Sequence, residues 1–285
     1  MQEKLDQRFI TLFDRFTHGG MTRRAFMARL TTLTGSAAAA QAILPLLENN
    51  YARAETVAAT DPRLVGEDVK FPGTAGYLVR PAAADPVPGA VILIHENRGL
   101  NAHIRDVARR LALEGFVVYA PDYLAAQGGT PPDADQARDL IGALKPDAVA
   151  ATSGAAFRVL SSLSSTTGKV GAMGFCWGGG QVNALAVAEP MLAAGVVYYG
   201  MQPRTGIDRI KAPLLLHYAG LDDRINAGMA AYGAALAAQG KVFEAYVYDG
   251  VNHAFNNDTN AARHDARAAA LAWGRTVAFL KKYLA

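Results

Sequence analysis

The chain has 285 residues, 51% of them hydrophobic and 19% charged, enough ordinary globular material for one large α/β domain. Its formal charge of +3 lies wholly in residues 1–54; the remainder balances at 21 basic and 21 acidic side chains, which excludes the basic bias of a nucleic-acid binder. Cys176 is the only cysteine, so no intrachain disulfide is possible.

The first readable pattern is Thr22-Arg23-Arg24-Ala25-Phe26-Met27, a twin-arginine motif. A weakly apolar stretch follows from Leu30 to Leu47, and then Ala52-Arg53-Ala54, an A-x-A cleavage signature. In this order the three read as a twin-arginine export signal removed after Ala54. The expectation is an exported, periplasmic bacterial protein whose residues 55–285 form a single domain. If the reading fails, an amphipathic N-terminal helix stays on a cytoplasmic protein. The apolar stretch is too short and too rich in Thr, Gly and Ala for a stable membrane span.

Beyond residue 54, β-rich runs alternate with helical ones. The region Leu64–Arg80 predicts one or two antiparallel edge strands. Ala90–His95 and Phe116–Ala120 read as buried strands, with a helix over Ile104–Glu114 between them. Gln127–Asp135 reads as a surface loop, and helices follow over Ala134–Leu144 and Ala148–Leu163. The strand Val170–Phe175 leads to a helix over Gly178–Glu189. Strands at Ala194–Tyr199 and Pro213–Tyr218, a helix over Asn226–Gln239, a strand at Val242–Tyr248 and a helix over Ala261–Leu284 complete the chain. Apolar strands alternating with helices predict an α/β fold with a mostly parallel central sheet covered on both faces.

In such a sheet the chemistry sits beyond the carboxyl ends of the strands. Gly174-Phe175-Cys176-Trp177-Gly178-Gly179 has the form of a nucleophile elbow with Cys in place of the usual Ser. Flanking glycines let strand and helix pass close to a strained turn. Asp222 and Asp223 follow a second strand, and His253 follows the last. Nucleophile, acid, histidine is the chain order of α/β-hydrolases. A thiol is mostly protonated at neutral pH, so Cys176 needs His253 to take or stabilise its proton, and a carboxylate must orient the imidazole. The oxyanion-hole donors are expected to be the backbone N–H groups of Trp177 and Asn97. His95, His103, His217 and His264 carry no matching context. No His/Cys cluster has metal-ligand spacing and no dinucleotide fingerprint is present, so no metal or organic cofactor is implied.

Gly174-Phe175-Cys176-Trp177-Gly178-Gly179, Ala219-Gly220-Leu221-Asp222 and Asn252-His253-Ala254-Phe255, with Glu96 after the first main strand, resemble the dienelactone hydrolase (carboxymethylenebutenolidase) family across Leu64–Ala285. The resemblance implies an α/β-hydrolase fold, a Cys176-His253-Asp222 triad with Asp222 preferred to Asp223, and Glu96 activating the thiol when substrate binds. A buried carboxylate beside a thiol can exchange a proton with it, since each is costly to ionise there alone. The family's two arginines for the substrate carboxylate have no counterpart: Leu124-Ala125-Ala126 and Asn257 occupy those places. Arg98 is a candidate replacement, and Arg98, Tyr123 and Asn257 are the expected substrate-facing residues. The implied reaction cleaves a small ester or lactone through a thioester acyl-enzyme. The rival readings are a thiol-based redox enzyme, disfavoured by the lack of a resolving cysteine, and a binding protein on the same scaffold, disfavoured by the complete set of catalytic residue types. Besides that substrate, the only partner expected is the export machinery, transiently.

Overall fold

The computed structural model describes residues 5–51, 55–83 and 89–285. The cleavage signature at 52–54 lies outside the described residues.

The framework is an eight-stranded sheet in the order β1-β2-β4-β3-β5-β6-β7-β8. A two-residue turn carrying Gly73 at φ +81° joins β1 (Leu64–Phe71) to β2 (Thr74–Pro81), which pairs antiparallel with β4 (Val117–Pro121). From β4 onward all pairings are parallel, through β3 (Ala90–Ile94), β5 (Val170–Phe175), β6 (Ala194–Tyr198), β7 (Leu214–Ala219) and β8 (Phe243–Tyr248). The five strands from β4 to β7 are buried at every residue, as continuous apolar runs require when helices cover both faces. The edge strands β1 and β8 are largely exposed.

Helices α4 (Ala102–Leu113) and α10 (Ala266–Leu284) close one core, where Ile104, Leu111, Phe279 and Leu280 pack on the sheet. On the other face α5 (Ala134–Gly142), α6 (Pro146–Ser161), α7 (Trp177–Ala188) and α9 (Met229–Ala238) bury Ile141, Phe157, Val182 and Leu236. The expected α/β architecture is therefore present, with two local differences. The helix predicted over 226–239 is split into α8 (Asp223–Asn226) and α9. Asp222 caps α8 by accepting from Ile225 N–H, and a Cβ at Gly228 would stand 2.5 Å from Gln202 Oε1, so the chain turns there. The last helix begins five residues later than predicted, because Asp265 caps it through Ala268 N–H and the preceding residues are wound into turns around Asn257 and Asn260.

The segment before the sheet is folded onto the domain. It forms α1 (Gln7–Thr17), α2 (Arg23–Thr34) and α3 (Ala37–Leu47), capped by Asp6, Thr22 and Ser36. Phe13, Phe16, Phe26 and Leu30 make its own small core, with Phe16 and Phe26 stacked at 4.7 Å. It is tied to the domain by Arg23–Asp135 at 2.6 Å, by Leu47 C=O accepting from Asn260 Nδ2, and by Arg138 and Arg263 lying over Phe16 and Phe13. Among the described residues no single helix is long and apolar enough to cross a membrane; α2 and α3 reach that composition only together, across a 112° bend.

The approach of α7 to the sheet sets the position of everything that follows. A Cβ at Gly174 would lie 2.4 Å from Gly178 C=O, and one at Gly178 would lie 2.4 Å from the carbonyl oxygens of both Ile94 and His95. Only backbone movement relieves such contacts, so Gly178→Ala should cost at least about 3 kcal/mol and lower the thermal midpoint by roughly 5 °C or more. An unchanged midpoint in a thermal melt would contradict this packing.

Candidate active site

Cys176 stands between β5 and α7 with φ +56° and ψ −116°, a conformation an L-residue adopts only under constraint. Its N–H is fixed by Tyr198 C=O at 3.0 Å, and the glycine contacts above leave the turn no room to relax. The other described non-glycine residues at positive φ, Tyr199 and Ala254, lie at the same site. Backbone strain thus concentrates around one sulfur.

His253 lies on the segment after β8, buried, with its ring 4.6 Å from that of Tyr199. Its Nδ1 meets Asp222 Oδ2 at 2.5 Å. Asp222 serves twice, since its other oxygen caps α8, whereas Asp223 is exposed as the first residue of that helix. Of the two aspartates, Asp222 is the one that meets the His253 ring. His253 Nε2 is buried and has no hydrogen-bond partner among the described residues, and a ring nitrogen of His253 lies within 4.8 Å of Cys176 Sγ.

A residue passed over in the sequence completes the surroundings of the sulfur. His18, at the C-terminal end of α1, places Nε2 3.2 Å from Cys176 Sγ. Its Nδ1 contacts Asp14, at 2.8 Å from the carbonyl oxygen and 3.2 Å from the carboxylate. Two His–Asp pairs therefore converge on one thiol. Burial alone pushes the Cys176 thiol up, but the charges of His18 and His253 and the His18 hydrogen bond outweigh it and hold the thiol at about 5. Burial pulls both imidazoles down; the thiolate opposes this in each, aided by Asp222 at His253 and by Asp14 at His18, and both are raised. Burial would raise the Asp14 and Asp222 carboxyls, but the neighbouring imidazoles lower both.

The site opens into a cavity of about 600 Å³ lined by Cys176, His253, Glu96, Asn97, Arg98 and Arg263. Glu96 is where the sequence placed it, buried at the end of β3. Asn257, expected to face substrate, is fully buried and instead donates from Nδ2 to Glu96 Oε2 at 2.9 Å, while its own oxygen accepts from Thr259. Tyr123, also expected to face substrate, is buried away from the cavity: its hydroxyl pairs with Ser153 at 2.7 Å and its ring edges against His95 and Trp177. It supports the Trp177 ring, which stacks on His95. Arg98 reaches the cavity, but Asp135 and Ala134 C=O occupy its guanidinium. Arg263 also lines the cavity, and its buried Nε has no partner among the described residues. The N–H of Trp177 lies in the first turn of α7, where helical N–H groups lack intrahelical acceptors. Asn97 is at the cavity wall, its side chain donating to Thr17 C=O of α1 at 2.8 Å. The sequence offered no metal-ligand spacing, yet the fold gathers His18, Cys176 and His253 with donor atoms within 4.8 Å of one another.

A strand-to-helix elbow at the carboxyl edge of a mostly parallel sheet, followed in chain order by an acid and a histidine, defines a hydrolase of the α/β-hydrolase fold. The family model for the "Dienelactone hydrolase family" matches residues 74–284, and the chain belongs to that family of ester and lactone hydrolases. A protein of Methylorubrum extorquens named "Putative carboxymethylenebutenolidase" is 31% identical over 260 residues, covering 81% of this chain and 86% of that one. A solved Klebsiella pneumoniae structure, "Putative Dienelactone Hydrolase", superposes with a TM-score of 0.67 at 28% identity, over 77% of this chain and 99% of its own. A dienelactone hydrolase-like promiscuous phosphotriesterase from metagenomic libraries shares the fold, with a TM-score of 0.69 at 22% identity over 78% of this chain and 99% of its own.

Because the folded thiol is held low, its thiolate persists until the pH falls through about 5. The rate of Cys176 alkylation by iodoacetamide should therefore step near pH 5, and His18→Ala should move the step upward. A step at 8 to 9, the range of a free thiol, would show that the two imidazoles do not stabilise the anion.

Proposed function

We propose that the protein cleaves a small ester or lactone through a Cys176-His253-Asp222 triad and a thioester acyl-enzyme. The observation that carries this reading is the strained elbow that presents Cys176 beside a buried imidazole fixed by a carboxylate. The thiolate of Cys176 adds to the substrate carbonyl. The developing oxyanion is held by the N–H groups of Trp177 and Asn97, each contributing about 3 kcal/mol at the transition state. His253, protonated at Nε2, gives that proton to the leaving alkoxide, and the carbonyl closes on sulfur as a thioester. His253 then takes a proton from water; the hydroxide displaces the thiolate and releases the acid. Asp222 keeps the Nδ1–H of His253 in place throughout. Glu96, held by Asn257, is the carboxylate that the family resemblance assigns to activating the thiol when substrate binds.

Substrate charge is read by Arg263. Among the described residues that line the cavity, Arg98 and Arg23 are both paired with Asp135, whereas Arg263 has no carboxylate partner and its guanidinium donates only to Asn49 Oδ1 at 3.3 Å, so it is the cation placed to meet a substrate carboxylate. Cys176→Ala should abolish cleavage of both a dienelactone and neutral aryl esters with the fold intact by circular dichroism. Arg263→Ala should raise KM for the carboxylate-bearing lactone by about tenfold and leave neutral esters little changed. Ester cleavage by Cys176→Ala would sink the triad, and equal losses on both substrates would remove Arg263 from substrate reading.

Residues 1–54 are proposed as a twin-arginine leader, removed after Ala54 to leave an exported enzyme. This rests on the Arg23-Arg24 motif, the apolar stretch and Ala52-Arg53-Ala54. Since the leader carries His18 onto the sulfur, its removal would free the nucleophile. Cell fractionation should find the protein in the periplasm beginning at Glu55, and replacing Arg23 and Arg24 by Lys should hold it in the cytoplasm at full length. A full-length periplasmic chain would refute cleavage, and indifference to the Lys pair would refute the route.

A further inference from the structure

The donor set gathered around Cys176 exceeds what ester hydrolysis requires. One sulfur and two imidazole nitrogens lie within 4.8 Å of one another, contributed by chain positions 158 and 77 residues apart on either side of the sulfur. Both imidazoles turn Nε2 inward for the same reason, since each Nδ1 is anchored on an aspartate pair, Asp14 for His18 and Asp222 for His253. A carboxylate behind Nδ1 is the arrangement that fixes tautomer and ring direction in histidine metal ligands. His253 Nε2 adds an independent sign: it is 96% buried by residue, aimed into the cluster, and without a hydrogen-bond partner among the described residues.

We propose that His18, Cys176 and His253 form a three-ligand site for a zinc-class cation in the full-length chain. A thiolate and two imidazoles whose Nε2 atoms release their protons to water as the ion binds suit a borderline-soft ion that prefers sulfur and nitrogen. Zinc–sulfur bonds of about 2.3 Å and zinc–nitrogen bonds of about 2.0–2.1 Å place tetrahedral donors about 3.5 Å apart. The His18–Cys176 separation of 3.2 Å needs to open by only a few tenths of an ångström. His18, Cys176 and His253 all line the 600 Å³ cavity, which has room for a water as the fourth ligand. Hard oxygen-seeking ions such as magnesium find no match in this donor set.

Its functional consequence rests on the hydrolase reading above. Zinc takes up the sulfur lone pair and His253 Nε2 together, the nucleophile and the proton carrier, so the loaded chain is an inactive form. One of the three ligands lies in the segment proposed as leader, so the site exists only before cleavage. Removing that segment would leave Cys176 and His253 without their third ligand, and the ion would be released as the enzyme becomes active.

The full-length chain, stripped with chelator and dialysed, would be titrated with zinc chloride by calorimetry and with cobalt(II) by absorption, using magnesium chloride as a control. We expect one zinc per chain, a near-ultraviolet thiolate-to-cobalt charge-transfer band, and no response to magnesium. His18→Ala should weaken zinc binding by at least about tenfold, Cys176→Ser should abolish the cobalt band, and His264→Ala should leave both unchanged. Absence of saturable zinc binding, or binding by His18→Ala as tight as by the parent chain, would overturn the site. Ester cleavage by the leader-free chain beginning at Glu55 separates the two readings: cleavage by that chain with no zinc binding by the full-length chain refutes only the metal site, and zinc binding by the full-length chain with no cleavage by the leader-free chain refutes only the hydrolase.

Discussion

A thiolate shut away from water persists only where positive charge meets it, and the active end of this molecule is organised around that requirement. Desolvation alone would keep Cys176 protonated and inert. Imidazoles approach it from two directions, each backed by an aspartate that favours the charged ring. Each arm therefore runs from carboxylate to imidazole to sulfur, and in each the carboxylate and the sulfur favour the charged ring. A charge at this depth is costly unless an opposite charge stands beside it, and after removal of the Asp14–His18 arm the Asp222–His253 arm still supplies one.

The backbone holds this arrangement by denying itself space. Two glycines, Gly174 and Gly178, allow β5, α7 and the end of β3 to approach to distances at which a methyl group would overlap main-chain oxygen. That crowding keeps Cys176 at positive φ and projects its sulfur beyond the sheet edge. Asp222 and His253 reach it because β7 and β8 deliver their following loops to the same edge in parallel register. The acid is fixed further by its second role as the cap of α8, so orienting the imidazole and terminating the loop are one structural event.

Much of this was readable in the sequence, for a physical reason. The elbow needs glycines at fixed offsets, and apolar strands followed by Asp222 and by His253 place chemistry at the sheet edge whatever the loops do. The antiparallel pair at 64–81 and the alternation of strands and helices followed from the same periodicity. The contributions of His18 and Arg263 were not readable. His18 sits on an amphipathic helix in a segment whose composition reads as a leader, and it meets Cys176 across 158 residues. Arg263 lies in a stretch that reads as the start of α10, and its place at the cavity depends on Asp265 delaying that helix. Asn257 and Tyr123 fall near the site in sequence but point inward, one to hold Glu96 and the other to brace Trp177, because both pair with other buried groups. Direction of a side chain within a turn is set by such partners and leaves no periodic trace.

The central claim is that the sulfur of Cys176 becomes acylated. It is tested most directly by rapid acid quench of the protein with an aryl ester, followed by intact-mass and peptide mass spectrometry. Acylation of Cys176 would give a transient mass increase equal to the acyl group, confined to the peptide containing Cys176 and labile to hydroxylamine as a thioester. Turnover with no acyl adduct on Cys176, or with the adduct on another residue, would contradict it.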